Sequence, residues 1–145
     1  MFIRDILETK GAKVFSMYPD ASVAAAVAKM DEQSIGAIVV IDRKGAVQGI
    51  VSERDVVRAL SRHGADALQT PVGDLMTTPV RTRGPDTEVA EIMSLMTYQR
   101  CRHVPIVEDG RLVGLVSIGD VVKQRLKDME LEVGVLRDVA RVTAQ

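Results

Sequence analysis

Apolar residues along this chain switch between two spacings, and the same switch occurs twice. Val23, Ala26, Val27 and Met30 fall at the i, i+3, i+4, i+7 positions of one helix face. Ser22 stands ahead of them as a cap, and Gly36 is placed to end the helix. Ala37-Ile38-Val39-Val40-Ile41 then runs without a polar interruption, the pattern of a buried strand. Asp42 to Gly45 reads as a turn, and Ala46 to Val51 pairs back as a hairpin. Ser52 caps a second helix to about Arg62, stopped by Gly64. With Val14 to Met17 as a short leading strand, the predicted order is strand, helix, strand, strand, helix.

The second half has that order again. Val80-Arg81-Thr82 is the short strand, and Val89, Ile92, Met93 and Met96 form the helix face. His103 to Val107 and Arg111 to Val116 form a hairpin around Glu108-Asp109-Gly110. The repeat is visible in letters as well as in pattern. Gly49-Ile50-Val51-Ser52-Glu53-Arg54-Asp55-Val56-Val57 returns as Gly114-Leu115-Val116-Ser117-Ile118-Gly119-Asp120-Val121-Val122, and Pro19-Asp20-Ala21-Ser22-Val23 returns as Pro85-Asp86-Thr87-Glu88-Val89. Two such units are expected to pack together and bury a shared core. The expected division is residues 1–64 for repeat one, 65–71 for a polar linker, 72–128 for repeat two and 129–145 for a helical extension. Ile3 to Leu7 and Val72 to Met76 read as matching lead-in segments. In the extension, Leu126, Met129, Val133, Leu136 and Ala140 step by a heptad rule, which suits either self-association or a helix lying on its own module.

Composition narrows the chemistry. Nineteen basic and twenty acidic side chains nearly cancel, and Trp is absent, which disfavours nucleic acid as a partner. The single cysteine, Cys101, forms no intramolecular disulfide, and no apolar run reaches membrane length, so a cytoplasmic protein is expected. Two distant histidines and one cysteine supply no zinc set, and no metal is expected. No nucleophile has an evident base partner, and neither a Walker sequence nor Gly-x-Gly-x-x-Gly is present, so the chain does not read as an enzyme. His63 and Cys101 read as structural residues.

The duplicated Gly-(apolar)2-Ser-x-x-Asp, the Pro-Asp-x-x-Val ahead of it, and Arg102-His103-Val104-Pro105-Ile106-Val107 resemble a tandem pair of CBS domains, a Bateman module. The resemblance spans about residues 3–126 and implies an α+β fold of two pseudo-symmetric strand-helix-strand-strand-helix repeats packed as one module. It also implies a regulatory role as an adenosine-nucleotide sensor. A Ser at a strand end and an Asp three residues on share one side of a helix start, where the carboxylate can accept from ribose hydroxyls and the first N–H groups favour phosphate. By the resemblance, Asp55 and Asp120 are ribose ligands with Ser52 and Ser117 beside them. Arg54 and Arg102 are phosphate candidates. His103 is either a phosphate donor or a half-buried strand residue. Ile38, Val40, Val104, Pro105, Ile106 and Ile118 are expected to line the adenine pocket. AMP is the first ligand to consider, with ADP, ATP, NAD(H) and S-adenosylmethionine left open. A homodimer and a regulated protein partner are implied. Against this stands a bland alternative. Ser-x-x-Asp is close to a capping box, which needs no ligand, and the chain would then be a ligand-free interaction or dimerisation module.

Overall fold

The computed structural model describes residues 1–11 and 13–143. The chain opens with helix α1 (Ile3–Lys10) and strand β1 (Ser16–Met17), followed by α2 (Val23–Gln33), β2 (Ala37–Ile41), β3 (Val47–Ser52) and α3 (Glu53–His63). A 3-10 helix (Gly64–Gln69) and the short α4 (Val72–Leu75) lead into α5 (Val89–Gln99), β4 (His103–Glu108), β5 (Arg111–Ser117) and the long α6 (Ile118–Thr143). Mixed α and β elements in this duplicated order are the expected fold class. Repeat one carries a three-stranded sheet, β1-β2-β3, with β1 parallel and β3 antiparallel to β2. Repeat two keeps only the β4-β5 hairpin.

Most of the local expectations hold, and the departures have physical causes. Ser22 caps α2 by accepting from the Ala25 N–H at 3.1 Å. That helix ends at Ser34, not Gly36: Ser34 takes the left-handed conformation at φ 53°, and its N–H donates to the Met30 and Asp31 carbonyls. Val27 and Met93 turn outward, and Leu95 replaces Met93 in the buried face of α5. The predicted strand at Val80 to Thr82 is absent. One parallel bridge stands in its place at Arg83, which accepts from Val107 N–H at 2.8 Å and donates to Pro105 O at 3.2 Å. The polar linker at 65–71 carries the 3-10 helix as far as Gln69, and Ala67 within it is fully buried.

The cores cross between the repeats. Ile3, Ile6 and Leu7 of α1 are buried among Val89, Ile92, Met96, Val104, Ile106 and Val116 of repeat two. Val72 of α4 is buried among Val23, Ala26, Ile38, Val40 and Val51 of repeat one. Matching backbone bonds fix the exchange. Ile3 N–H donates to Thr87 O and Val89 N–H to Met1 O, while Val23 N–H donates to Thr70 O and Val72 N–H to Ala21 O. A third cluster of Ala37, Val39 and Ile50, packed with Val80, Leu112 and Leu115, joins the two halves. The repeated glycines serve this crossing. A Cβ on Gly49 would sit 2.7 Å from Met76 Sδ and 2.8 Å from the Thr77 carbonyl, and one on Gly114 would sit 2.7 Å from Leu7 Cδ2.

Candidate functional site

Strand β3 hands its last residue, Ser52, to the start of α3 in an extended conformation that leaves its side chain over the first turn. The result is a capping box. Ser52 N–H and Oγ–H donate to Asp55 Oδ2 at 2.9 and 3.0 Å, and Asp55 N–H donates back to Ser52 Oγ at 3.4 Å. Thr77, delivered by the crossing after α4, donates its hydroxyl to Asp55 Oδ1 at 3.1 Å. An ionised carboxylate has about four acceptor positions. Three are filled here, so Oδ1 retains one.

Repeat two builds the same corner with a different neighbour. Ser117 N–H donates to Asp120 Oδ2 at 2.9 Å, and Asp120 N–H donates to Ser117 Oγ at 3.2 Å. Lys10, at the end of α1, donates to Asp120 Oδ2 at 2.7 Å and to the Leu115 carbonyl at 2.8 Å. A lysine thus grips the second carboxylate where a neutral threonine meets the first. Burial pushes the Asp120 carboxyl up, but the bonds from Lys10 and Ser117 outweigh it and hold it below the ordinary value.

One cleft of about 1150 Å³ brings most of the expected polar residues together across the repeat boundary. Ser52, Arg54 and Asp55 of repeat one line it with Arg102 and His103 of repeat two. Its apolar wall is Ile50, Val57, Pro79 and Val80, and Arg58, Arg81 and Arg100 add to its charge. Among its lining residues five arginines face two acids, Glu53 and Asp55, so the cleft favours an anion. His103 is pushed below its ordinary value of 6.5 by burial and then by Lys10 and Arg102, with Asp120 and Glu53 pulling the other way. The unprotonated imidazole is therefore the form at neutral pH.

Other expected residues lie elsewhere. Ser117 and Asp120 form the second corner outside this cleft. Ile118, at the start of α6, is 48% exposed and also outside it. Ile38 and Val40 are fully buried in the core of repeat one, and Val104 and Ile106 in that of repeat two, with Pro105 buried between them. Strand alternation explains this for β2. Successive side chains take opposite faces, so Ile38 and Val40 point at α2, while Ala37 and Val39 point at the other half. The apolar wall of the cleft comes instead from Ile50 and Val80, partners across the third cluster.

Thr77, Arg81, Arg100 and Lys10 were not among the expected site residues. The roles of Thr77 and Lys10 depend on the crossing, and those of Arg81 and Arg100 on the two repeats facing one another across the cleft. The available signal was the density of arginine at positions 81, 83, 100 and 102.

The model of the CBS domain matches this chain twice, over residues 3–62 and 72–127. A mitochondrial CBS domain-containing protein of Arabidopsis thaliana is 37% identical over 129 residues, covering 83% of this chain, and the chain spans 63% of that protein's length. The crystal structure of a CBS-domain containing protein from Agrobacterium tumefaciens is 44% identical, with a TM-score of 0.80 over 86% of this chain and 99% of its own. The CBS domain pair of protein MJ0100, solved with 5′-methylthioadenosine and S-adenosyl-L-methionine, shares the fold at a TM-score of 0.79 and 22% identity, over 88% of this chain and 98% of its own.

Proposed function

This chain belongs to the CBS-domain family, as a tandem pair, and from that premise we propose that it is a regulatory module that takes an adenosine nucleotide into the cleft between its repeats. The observation that carries this reading is the cleft itself. It sets a carboxylate with an open acceptor position, Asp55, against an apolar wall and a ring of arginines drawn from both repeats. Asp55 Oδ1 accepts from a ribose hydroxyl. Ile50 and Val80 flank the base. Arg102, Arg81 and Arg100 meet phosphate. The adenosine ligands of the MJ0100 pair support the nucleoside part of this assignment. The arginine excess favours a phosphorylated ligand over a sulfonium cation, so AMP comes first, then ADP, ATP and NAD(H).

Ligand contacts from both halves give a route to signalling. A nucleotide bridging Asp55 and Arg102 stabilises one relative arrangement of the repeats, and a protein partner that prefers that arrangement gains affinity by linkage. Asp120 lies outside the cleft and is held by Lys10, which points to one nucleotide per chain.

The test is calorimetric titration of the nucleotide-stripped protein with AMP, alongside Asp55→Ala and Arg102→Met. The expected result is saturable micromolar binding at one site, weakened by at least about tenfold in each variant. A second reading, a ligand-free interaction module, is favoured by one observation: both Ser-x-x-Asp corners are satisfied as capping boxes. It predicts no heat with any of these nucleotides and a loss of only about 1 kcal/mol of stability in Asp55→Ala.

A further inference from the structure

Helix α6 leaves its own module early. Val121 is its last buried residue, and from Val122 to Thr143 no side chain is buried. Val122, Leu126, Met129, Val133 and Leu136 are each 47–67% exposed, although they form one straight stripe at alternating spacings of four and three. Such a seam loses solvation free energy until something covers it.

The charges beside the seam identify the cover. With Leu126, Val133 and Ala140 at a, and Val122, Met129 and Leu136 at d, Arg125, Glu132 and Val139 occupy g, and Lys123, Glu130 and Arg137 occupy e. In a parallel, in-register pair each g residue meets the e residue five positions on in the partner. Arg125 then faces the partner's Glu130, and Glu132 faces the partner's Arg137; by symmetry these pairs give four attractive contacts, and no two like charges meet. The antiparallel register that sets Leu126 against the partner's Leu136 opposes Glu130 to Glu130 and Glu132 to Glu132.

We propose that residues 122–143 form a parallel, in-register two-stranded coiled coil with a second copy of this chain, placing two modules side by side at the same end. The inference does not depend on the nucleotide reading.

Sedimentation equilibrium of the full chain tests it. Met129→Lys/Leu136→Lys is expected to raise the dimer dissociation constant at least about a hundredfold, because it places four ammonium groups in the seam. Leu131→Lys/Val135→Lys, on the opposite face of the same helix, is expected to leave the constant unchanged. Glu130→Arg is expected to weaken the dimer about tenfold, and adding Arg125→Glu to restore it. In a Cys101→Ser background, Met129→Cys is expected to give a disulfide-linked dimer under mild oxidation, and Leu131→Cys is not. A monomeric parent chain, a seam variant with an unchanged constant, a dimer lost in the opposite-face variant, a charge swap that fails to rescue, or crosslinking at position 131 in place of 129 each overturns the proposal.

Discussion

Substituting alanine at the two repeated glycines separates two kinds of crowding that the sequence makes look identical. At Gly49 the new Cβ meets Met76 Sδ at 2.7 Å and the Thr77 carbonyl at 2.8 Å. The carbonyl is part of a two-bond bridge, Ile50 N–H to Thr77 O at 3.1 Å and Thr77 N–H to Ile50 O at 2.8 Å. Relief therefore requires the crossing segment to lift and both bonds to lengthen. Two backbone bonds at about 1 kcal/mol each, plus about 1–3 kcal/mol of overpacking, give a cost of about 3–5 kcal/mol. Neither glycine has a positive φ, so alanine recovers about 0.4–1 kcal/mol through the unfolded chain, leaving roughly 2–4 kcal/mol. At Gly114 the nearest atoms are Leu7 Cδ2 at 2.7 Å and Cδ1 at 3.0 Å, the far end of a flexible side chain. A rotation of Leu7 relieves that contact at about 1 kcal/mol, which the unfolded-state gain nearly offsets. Urea denaturation of both variants is the assay, read as midpoint shifts at constant slope. Gly49→Ala is expected to lose about 2 kcal/mol or more relative to Gly114→Ala. It is also expected to bind AMP more weakly, since Thr77 is a partner of Asp55. Equal stability of the two variants would refute the claim that Gly49 is held by backbone contact.

Three further outcomes follow from the same geometry. Ile3→Ala, at the third residue of the chain, is expected to cost about 2–5 kcal/mol because Ile3 is fully buried in the core of repeat two; a urea midpoint within error of the parent would contradict the crossed core. Lys10→Met is expected to move the Asp120 carboxyl upward, since the Lys10 bond is the chief lowering influence on it; carbonyl NMR titration of Asp120 reads this directly, and an unmoved titration would show that the ion pair does not form in solution. His103 and Asp120 both destabilise the protein in acid. His103 holds a proton less readily folded than unfolded, so stability falls as pH drops below 6.5 toward its lower folded value, whereas the Asp120 contribution is lost only below 3.8. Thermal melts from pH 7.5 to 5 should show the first decline, and His103→Gln should flatten it; a decline of equal slope in that variant would assign the effect to other groups.

The sequence alone determined what is local and what is repeated. The duplicated pattern, the β2-β3 and β4-β5 hairpins, and the caps at Ser22, Ser52 and Ser117 all depend on residues within a few positions of one another, where periodicity and capping chemistry operate directly. The Ser-x-x-Asp corners were legible for the same reason, although they suit a cap and a ligand alike. Tertiary structure decided everything that involves the crossing. Lead-in segments of similar pattern, Ile3 to Leu7 and Val72 to Met76, each serve the other repeat's core, and no spacing rule records that exchange. The crossing put Thr77 on Asp55 but Lys10 on Asp120, so two corners of nearly identical sequence differ in charge and access. It brought Arg102 and His103 across to Ser52 and Asp55, and it turned Ile38, Val40, Val104 and Ile106 into core. Which face of a strand meets a ligand depends on what packs against the other face, and that is a property of the assembled halves, not of either half.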